Sequence, residues 1–432
     1  MPASYRISRV TICPGVSAFT RSRPEWPMFR TFVRALAFRL RVLGEPMAAF
    51  TMFHAFVVAI LAALGVQTIL NARAMRRLSA PSSPSTWPTV SVLIPVRNEA
   101  SRIAACVAAW RVQDYPNYEV VIYDDDSSDR TRPHVEHAAA GAANIRVIVG
   151  ARLPAGWRGK THACHRLRES ARGDILVFAD ADVEPRPSAL AAAVATLGAV
   201  GGHACSALPS HAPLSPLLRA IVGLQNWAAM SVAPIWLPAA RRRRTFAMLN
   251  GQFIVIAAAV YDAAGGFSAV KESLAEDTAF GRRLVALGYR VELVDGSQRL
   301  TCRSYTRLAD LWRANVRNLA AVLFGSPWLL LGSAVVLGTV YIAPLALLGL
   351  GPVFGRAGSL AWTWLPAAEI ALAIGARAVV DHRSGHGVWV AALHPLAIAS
   401  LIAMQCDALT RMRRGGEVEW RDRRYRVTDE VA

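Results

Sequence analysis

Four stretches of the chain are apolar over about the length that crosses a bilayer as a helix: Phe50–Leu70, Trp328–Leu350, Leu360–Val380 and Val388–Cys406. Between the first and second, from Thr89 on, short apolar runs alternate with amphipathic ones. Val90–Ile94, Tyr118–Tyr123, Ile145–Val149 and Ile175–Ala179 are rich in β-branched and aromatic residues and read as buried strands. Stretches near Glu99–Val112 and Thr161–Ala171 read as helices between them. This alternation predicts an open α/β sheet with membrane helices before and after it. Ala80–Pro88 is a Ser/Pro linker. Leu214–Trp236 is apolar but broken by Pro216 and Pro234, and Arg241–Arg244 follows it. It reads as an amphipathic segment over 214–245 that lies at a membrane interface, with the arginines at head-group level.

Ligands in open α/β sheets collect at the carboxyl ends of strands, and the unusual residues sit there. The fourth strand runs from Gly173 into Asp180-Ala181-Asp182. Residues two apart on a strand point the same way, so both carboxylates aim at one place. Held that close they repel by roughly 2–3 kcal/mol at an effective dielectric near 20. A divalent cation, Mg2+ or Mn2+, removes that repulsion and can carry a diphosphate. The first strand ends in Pro95-Val96-Arg97-Asn98-Glu99 and the second in Asp124-Asp125-Asp126-Ser127-Ser128-Asp129. Gly159-Lys160-Thr161 is not a P-loop, because Pro154 stands where the first glycine is needed. The Asp124–Asp129 run lacks the alternation, glycine and terminal Glu of a calcium loop.

Charge and composition refine this picture. Lys and Arg number 48 against 30 Asp and Glu, for a formal charge of +18. Only Lys160 and Lys271 are lysines, which makes Lys160 a compact point charge in a chain that otherwise uses arginine. The basic residues flank apolar segments, so the expected partner is a membrane surface and not nucleic acid. More than half of the residues are hydrophobic (53%) and the mean hydropathy is +0.30, which excludes an ordinary soluble enzyme. The six cysteines show no Cys-x-x-Cys and fit a reducing compartment.

Taken in order, these motifs resemble the family-2 glycosyltransferases, inverting enzymes of the GT-A nucleotide-sugar fold. The resemblance covers about residues 89–325. It rests on Ile94–Glu99, Tyr123–Thr131, Asp180-Ala181-Asp182, Asn250-Gly251-Gln252, Gly265-Gly266-Phe267 and Glu276-Asp277. Gly156–Cys164 and the tail Glu417–Tyr425, with Trp420, are similar to the membrane-bound branch that glycosylates lipids, including carotenoid- and hopanoid-associated transferases. The implied fold is a GT-A-type open mixed sheet, a Rossmann-like nucleotide-sugar domain. The implied reaction moves one sugar from a UDP-type donor to a membrane lipid or polyisoprenoid-derived hydroxyl. A uracil N3–H needs an acidic acceptor, which Asp125 or Asp124 supplies; Pro95, Arg97 and Glu99 wall the base or ribose. Lys160, Asp180, Arg303, Arg313 and Arg317 are donor contacts, Asp180 and Asp182 the metal ligands, and Asn250, Gly251 and Gln252 the acceptor contacts. Asp277, at the start of a helix over Glu276–Leu287, is the general base, kept ionised by the helix terminus. Glu276 is the other catalytic candidate, one residue away and thus about 100° around the helix, which predicts a lesser role. The Gln-x-x-Arg-Trp motif of processive relatives is missing, so a processive polysaccharide synthase is disfavoured. A catalytically silent membrane module of a lipid pathway is the other alternative.

Nucleotide sugars are cytoplasmic, which sets a multi-pass inner (plasma) membrane protein with its catalytic domain inside. Arg73, Arg76 and Arg77 flank the first span accordingly, whereas eight arginines before residue 42 oppose it. The expected order is an Arg-rich, unstructured region over 1–46, with a true start at Met47 or Met52, then a membrane helix over 47–72. The catalytic domain over 89–325, membrane helices over 328–410 and a cytoplasmic tail over 411–432 follow. An inside tail requires an even number of crossings after Pro327, yet three apolar stretches follow it. Gly349–Gly358 and His394-Pro395 mark the candidate breaks.

Overall fold

The computed structural model describes residues 45–78, 87–212, 214–273, 275–305, 307–322, 326–413, 417–420 and 423–426. Residues 1–44, most of the Ser/Pro linker and the side chain of Trp420 lie outside them, and so do the expectations placed there. The chain divides into two units between Phe53 and His54, and the whole central sheet lies in the second.

That sheet has seven strands in the order β3-β2-β1-β4-β8-β6-β9. They are β1 (Val90–Val96), β2 (Tyr118–Asp124), β3 (Ile145–Val149), β4 (Ile175–Ala179), β6 (Ala204–Leu208), β8 (Phe253–Ala257) and β9 (Val291–Asp295). Every neighbouring pair is parallel except the two made by β8, which runs antiparallel to both β4 and β6. The sheet is therefore mixed, as a GT-A-type domain requires, and six carboxyl ends share one edge. β1 and β4 are buried at nearly every position, as expected of strands covered on both faces. Helices Ile103–Arg111 and Ala189–Ala199 contribute to the core on one face, and helices Gly159–Ser170 and Glu276–Ala286 to the core on the other. Gly173 lets the chain enter β4 against the backbone of Val90 and Ser91, where any Cβ would collide. A small second sheet, β5 (Val183–Pro185), β10 (Leu300–Cys302) and β7 (Ser210–His211), folds over the carboxyl edge.

Among the described residues four helices are long and apolar enough to cross a membrane: Met47–Ala74, Pro327–Leu350, Leu360–Arg383 and Val388–Arg413. The second changes hydrogen-bond pattern over Gly338–Ile342, just before Pro344, whose missing N–H opens the ladder. Helix Pro216–Val232 packs among them. Its buried residues include Ile221, Leu224, Trp227 and Met230, which share one core cluster with Leu330, Val380 and Ile398. A helix with so much of its surface enclosed is not one lying open on an interface; within 214–245 only the turns after it keep that exposed character.

The helical layer contains charge as well as hydrocarbon. Arg377 is fully buried, donates to both carboxylate oxygens of Asp381 (2.9 Å each) and to the Ala220 carbonyl (2.9 Å). A Cβ on Gly223 would come within 3.2 Å of the Arg377 Cζ, so the glycine makes room for the guanidinium. Removing one partner of such a pair strands the other charge, typically at about 3–5 kcal/mol. Arg377→Met should therefore destabilise by that order in detergent-solubilised protein, and Arg377→Met/Asp381→Leu should recover most of the loss. Equal melting temperatures for the single variant and the parent protein would show that the pair is not structural.

Candidate active site

The carboxyl ends of the strands meet at a cleft lined by Pro95, Lys160, Phe178, Asp180, Gly251, Phe267, Glu276 and Asp277. Pro95 comes from β1, Asp180 from the turn after β4, and Lys160 from the first turn of helix Gly159–Ser170. Glu276 and Asp277 open helix Glu276–Ala286. The Lys160 Nζ lies 2.8 Å from Asp180 Oδ1 and 3.1 Å from Glu276 Oε1, bridging two carboxylates from different elements. Asp277 is held by the backbone: Gly251 N donates to Oδ2 at 2.8 Å and Thr278 N to Oδ1 at 2.6 Å. Gly251 leaves these groups room, because a Cβ would sit 3.1 Å from Asp277 Oδ2 and 3.2 Å from Lys160 Nζ and would force one of them to shift slightly.

Electrostatics follow from that crowding. Loss of water pushes the Asp180 carboxyl up to about 6, against the pull of Lys160 and with the push of Asp182. The Lys160 ammonium, disfavoured by burial, is held well above its ordinary pKa by Asp180 and Glu276. Burial, then Glu276, raises the Asp277 carboxyl above its ordinary value, and Lys160 with the two amides pulls the other way. The helix terminus alone predicts a carboxylate held at low pKa; enclosure beside a second carboxylate outweighs it and makes Asp277 more basic.

Asp182 turns inward beside the small sheet. Its Oδ1 is buried and has no hydrogen-bond partner among the described residues, while its backbone carbonyl accepts from Arg303 N at 2.9 Å. An unpaired buried carboxylate oxygen next to Asp180 fits a cation, whose remaining ligands would come from substrate or water. Among the described residues no cluster of three His, Cys, Asp or Glu could hold a metal by itself. Gln252 donates to Cys302 Sγ at 3.0 Å and so ties the β8 approach to β10. Asn250 is buried and donates to the Ala207 carbonyl at 3.1 Å, a structural role that fixes Gly251.

The remaining predicted residues lie around this cleft, not in it. Asp124 and Asp125 are buried at the end of β2. Asp124 Oδ1 accepts from Ser127 N (3.1 Å), closing an Asx turn, and Arg97 donates to the carbonyls of Asp125 and Asp126. Glu99 pairs with Arg102 at 3.3 Å. Arg303 is drawn to Glu184 (2.6 Å) and Arg313 to Asp310 (2.6 Å), both largely exposed, and Arg317 donates to Asn318 (3.2 Å). The 100° step from Asp277 predicts that Glu276 points away. Instead both enter the cleft, because side chains in a first turn lean back toward the open N-terminus. One residue escaped the sequence reading. His211, three residues past Leu208 and at the end of β7, has its imidazole pushed down to about 4 by burial, with Asp182 acting in the opposite sense. The strand-end rule that selects Asp180 would have selected it too.

A mixed sheet whose carboxyl edge gathers two strand-end acids, a lysine and a helix-opening acid pair is the arrangement of a GT-A-type glycosyltransferase. Residues 54–432 match the model of glycosyl transferase family 21, and the chain belongs to that family, in keeping with the family-2 resemblance of its motifs. It is 32% identical over 119 residues to the glycosyltransferase AglE of Haloferax volcanii, covering 27% of this chain and 38% of that one. It is 32% identical over 114 residues to a 4,4'-diaponeurosporenoate glycosyltransferase of Staphylococcus haemolyticus, covering 26% and 29%. The matched segment thus spans well under half the length of either relative. Among solved structures it is similar to a mannosyltransferase of Pyrobaculum calidifontis in complex with GDP-Man and Mn2+. The identity there is 22%, with 74% of this chain and 97% of that one covered, at a TM-score of 0.47.

Gly251→Ala isolates the geometry from the fold. The methyl must push Asp277 or Lys160 by a few tenths of an ångström, and misplacement on the ångström scale can cost about 10²-fold. Sugar transfer should fall about tenfold or more with the melting temperature nearly unchanged; full activity would show that Asp277 and Lys160 do not face the reacting atoms.

Proposed function

We propose that this protein is a membrane-embedded inverting glycosyltransferase that moves one sugar from a UDP-type donor to a lipid hydroxyl at the cytoplasmic face. The observation that carries this reading is the Lys160-centred cleft, where Asp180, Glu276 and Asp277 converge on the sheet edge that faces the membrane helices. In this reading Asp277 accepts the proton of the acceptor hydroxyl while that oxygen bonds to the anomeric carbon and the bond to the diphosphate breaks. Its two backbone hydrogen bonds aim the carboxylate and leave lone pairs for that proton. Attack opposite the leaving group inverts the anomeric configuration. Asp180 and Asp182 would hold a Mg2+ or Mn2+ ion, which offsets charge on the diphosphate. Lys160 adds a fixed positive charge at the same place and keeps Glu276 and Asp180 from repelling each other apart. The carboxyl ends of β1 and β2 and the turn after β2, stapled by Arg97, supply Pro95, Asp124 and Asp125 to the nucleoside.

How the domain meets the helices supports this acceptor class and topology. Asp295, at the carboxyl end of β9, lies 3.4 Å from Arg77 Nε and 3.1 Å from Arg383 Nε. Arg383 also donates to the Met75 carbonyl at 2.6 Å. The end of the first long helix and the end of Leu360–Arg383 therefore meet the sheet at one point, on the membrane side of the site. Helix His394–Arg413 begins beside Arg377, 3.4 Å from its guanidinium, and that is about 9 Å along the helix from Arg383. Toward its other end Asp407 accepts from the Trp312 indole at 2.9 Å, and Gln405 donates to Ser333 at 2.9 Å. Trp312 belongs to helix Leu308–Val322, whose Leu311 and Val316 pack in one cluster with Leu208 and Leu293 of the sheet. Both ends of the last helix thus stay near the domain. Two crossings after Pro327 and a final helix that does not cross satisfy the parity that places the tail inside.

Two experiments test this. Asp277→Asn should cut transfer by about 10²–10⁴-fold, as loss of a positioned base does, while UDP affinity stays within a few-fold of the parent. Glu276→Gln should instead weaken donor use, because it frees Lys160. Normal transfer by Asp277→Asn would end the base assignment. For topology, cysteines placed at Gly355 and at Arg413 should be labelled by a membrane-impermeant reagent from opposite sides of the membrane; labelling from the same side would contradict the two-crossing arrangement.

A further inference from the structure

The turns between Ala233 and Phe246 are built and anchored, and nothing in the cleft chemistry uses them. Three polar side chains of the first long helix grip their start. Asn71 donates to the carbonyls of Met230 and Ala233 (2.7 Å each) and accepts from Trp236 N at 2.9 Å. Gln67 donates to the Ser231 carbonyl at 2.6 Å, and Thr68 meets the Ser231 hydroxyl at 3.0 Å. Successive backbone bonds, from Leu237 to Pro234, Ala240 to Leu237, Arg243 to Ala240 and Phe246 to Arg243, carry the order through. On the inner side Ile235, Ala240, Phe246 and Met248 face Met75 and Leu293. Arg241 is used internally, donating to the Ile235 carbonyl (2.6 Å) and to Glu292 (3.3 Å).

The outer side is different. Trp236 and Leu237 are 39% and 40% exposed, and Arg242, Arg243 and Arg244 are exposed with no acidic partner among the described residues. The anchoring residues Gln67–Asn71 lie within about three turns' length of Arg73, Arg76 and Arg77, which end and follow a membrane-length helix. The turns therefore sit at the depth where hydrocarbon gives way to head groups.

We propose that Trp236–Arg244 is a binding surface for anionic phospholipids of the host bilayer, with Arg242, Arg243 and Arg244 on the phosphates and Trp236 and Leu237 among the glycerol and upper acyl positions. The surface rests on the membrane reading of the long helices and not on the cleft chemistry. Three unpaired guanidiniums are complementary to phosphate, in which they find bidentate acceptors. Indole and leucine side chains beside them match the apolar layer just below. An aqueous acidic partner would meet the arginines but leave Trp236 and Leu237 without a counterpart. Each basic residue near an anionic surface strengthens its attraction to that surface up to about fivefold, so three arginines together favour acidic over zwitterionic lipid.

The test uses the full chain in nanodiscs, with Cys406→Ala removing the exposed thiol, Cys13→Ala removing the one outside the described residues, and bimane attached through Leu237→Cys. Quenching by brominated phosphatidylglycerol should exceed quenching by brominated phosphatidylcholine at equal mole fraction by about tenfold in apparent affinity. Arg242→Gln/Arg243→Gln/Arg244→Gln should bring the ratio close to one, whereas replacing the same three residues by Lys should keep most of it. Equal quenching by both lipids, or a preference that survives the Gln variant, would overturn the proposal. Failure of bimane to be quenched by either lipid would also overturn it, by placing the turns outside the bilayer surface. None of these outcomes depends on sugar transfer, so the cleft chemistry stands or falls separately.

Discussion

One ammonium group holds the candidate site together. Asp180 arrives from the turn after β4 and Glu276 and Asp277 from the start of one helix, and three carboxylates cannot share a partly dry cleft without a compensating charge. Lys160 supplies it, touching Asp180 and Glu276 at once. Its place depends on a helix that starts at Gly159, and the whole of that helix's inner face packs on the sheet through Ala163, Cys164 and Leu167. The acid pair in turn depends on Gly251, whose N–H aims Asp277 and whose missing side chain leaves room for Lys160. The geometry of the cleft thus rests on a lysine in an arginine-rich chain and a glycine in a half-buried turn.

A second constraint joins the sheet to the helices. Asp295 closes β9 and gathers Arg77 from the first long helix and Arg383 from the end of Leu360–Arg383. Because β9 shares its direction with β6 and with the strands beyond β8, this ion-pair node lies on the same edge as the cleft. An acceptor embedded in the bilayer would approach that edge, which is why a lipid hydroxyl suits the site. Exposed Trp328, Val335, Val336, Phe354 and Trp364 cover the outside of the helical layer, the surface expected where lipid replaces water.

Much of this was legible in the chain, for a local reason. Strand periodicity and the acids just past each strand are short-range patterns, so β1 to β4 and the Asp180–Asp182 turn could be read directly. What could not be read is non-local. Nothing in Phe253–Ala257 says that it inserts antiparallel between β4 and β6, because pairing partners are set by the packed sheet. Helix Thr131–Ala139 is polar on most of its surface and left little periodic signal. Helix geometry placed Glu276 away from Asp277, but that rule holds for helix interiors, and both residues sit in an open first turn. Arg377 and Asp381 interrupt or adjoin an apolar stretch, and the role of the glycine beside them is visible only once Pro216–Val232 is packed against that helix.

The most direct measurement is nucleotide binding by purified full-length protein in detergent, titrated calorimetrically with UDP in the presence and absence of Mn2+. If Asp180 and Asp182 hold a cation beside Lys160, UDP should bind tightly only with Mn2+, and Asp182→Asn should abolish the metal-dependent part while the protein stays folded. UDP binding that is indifferent to Mn2+, or unchanged in Asp182→Asn, would contradict the account.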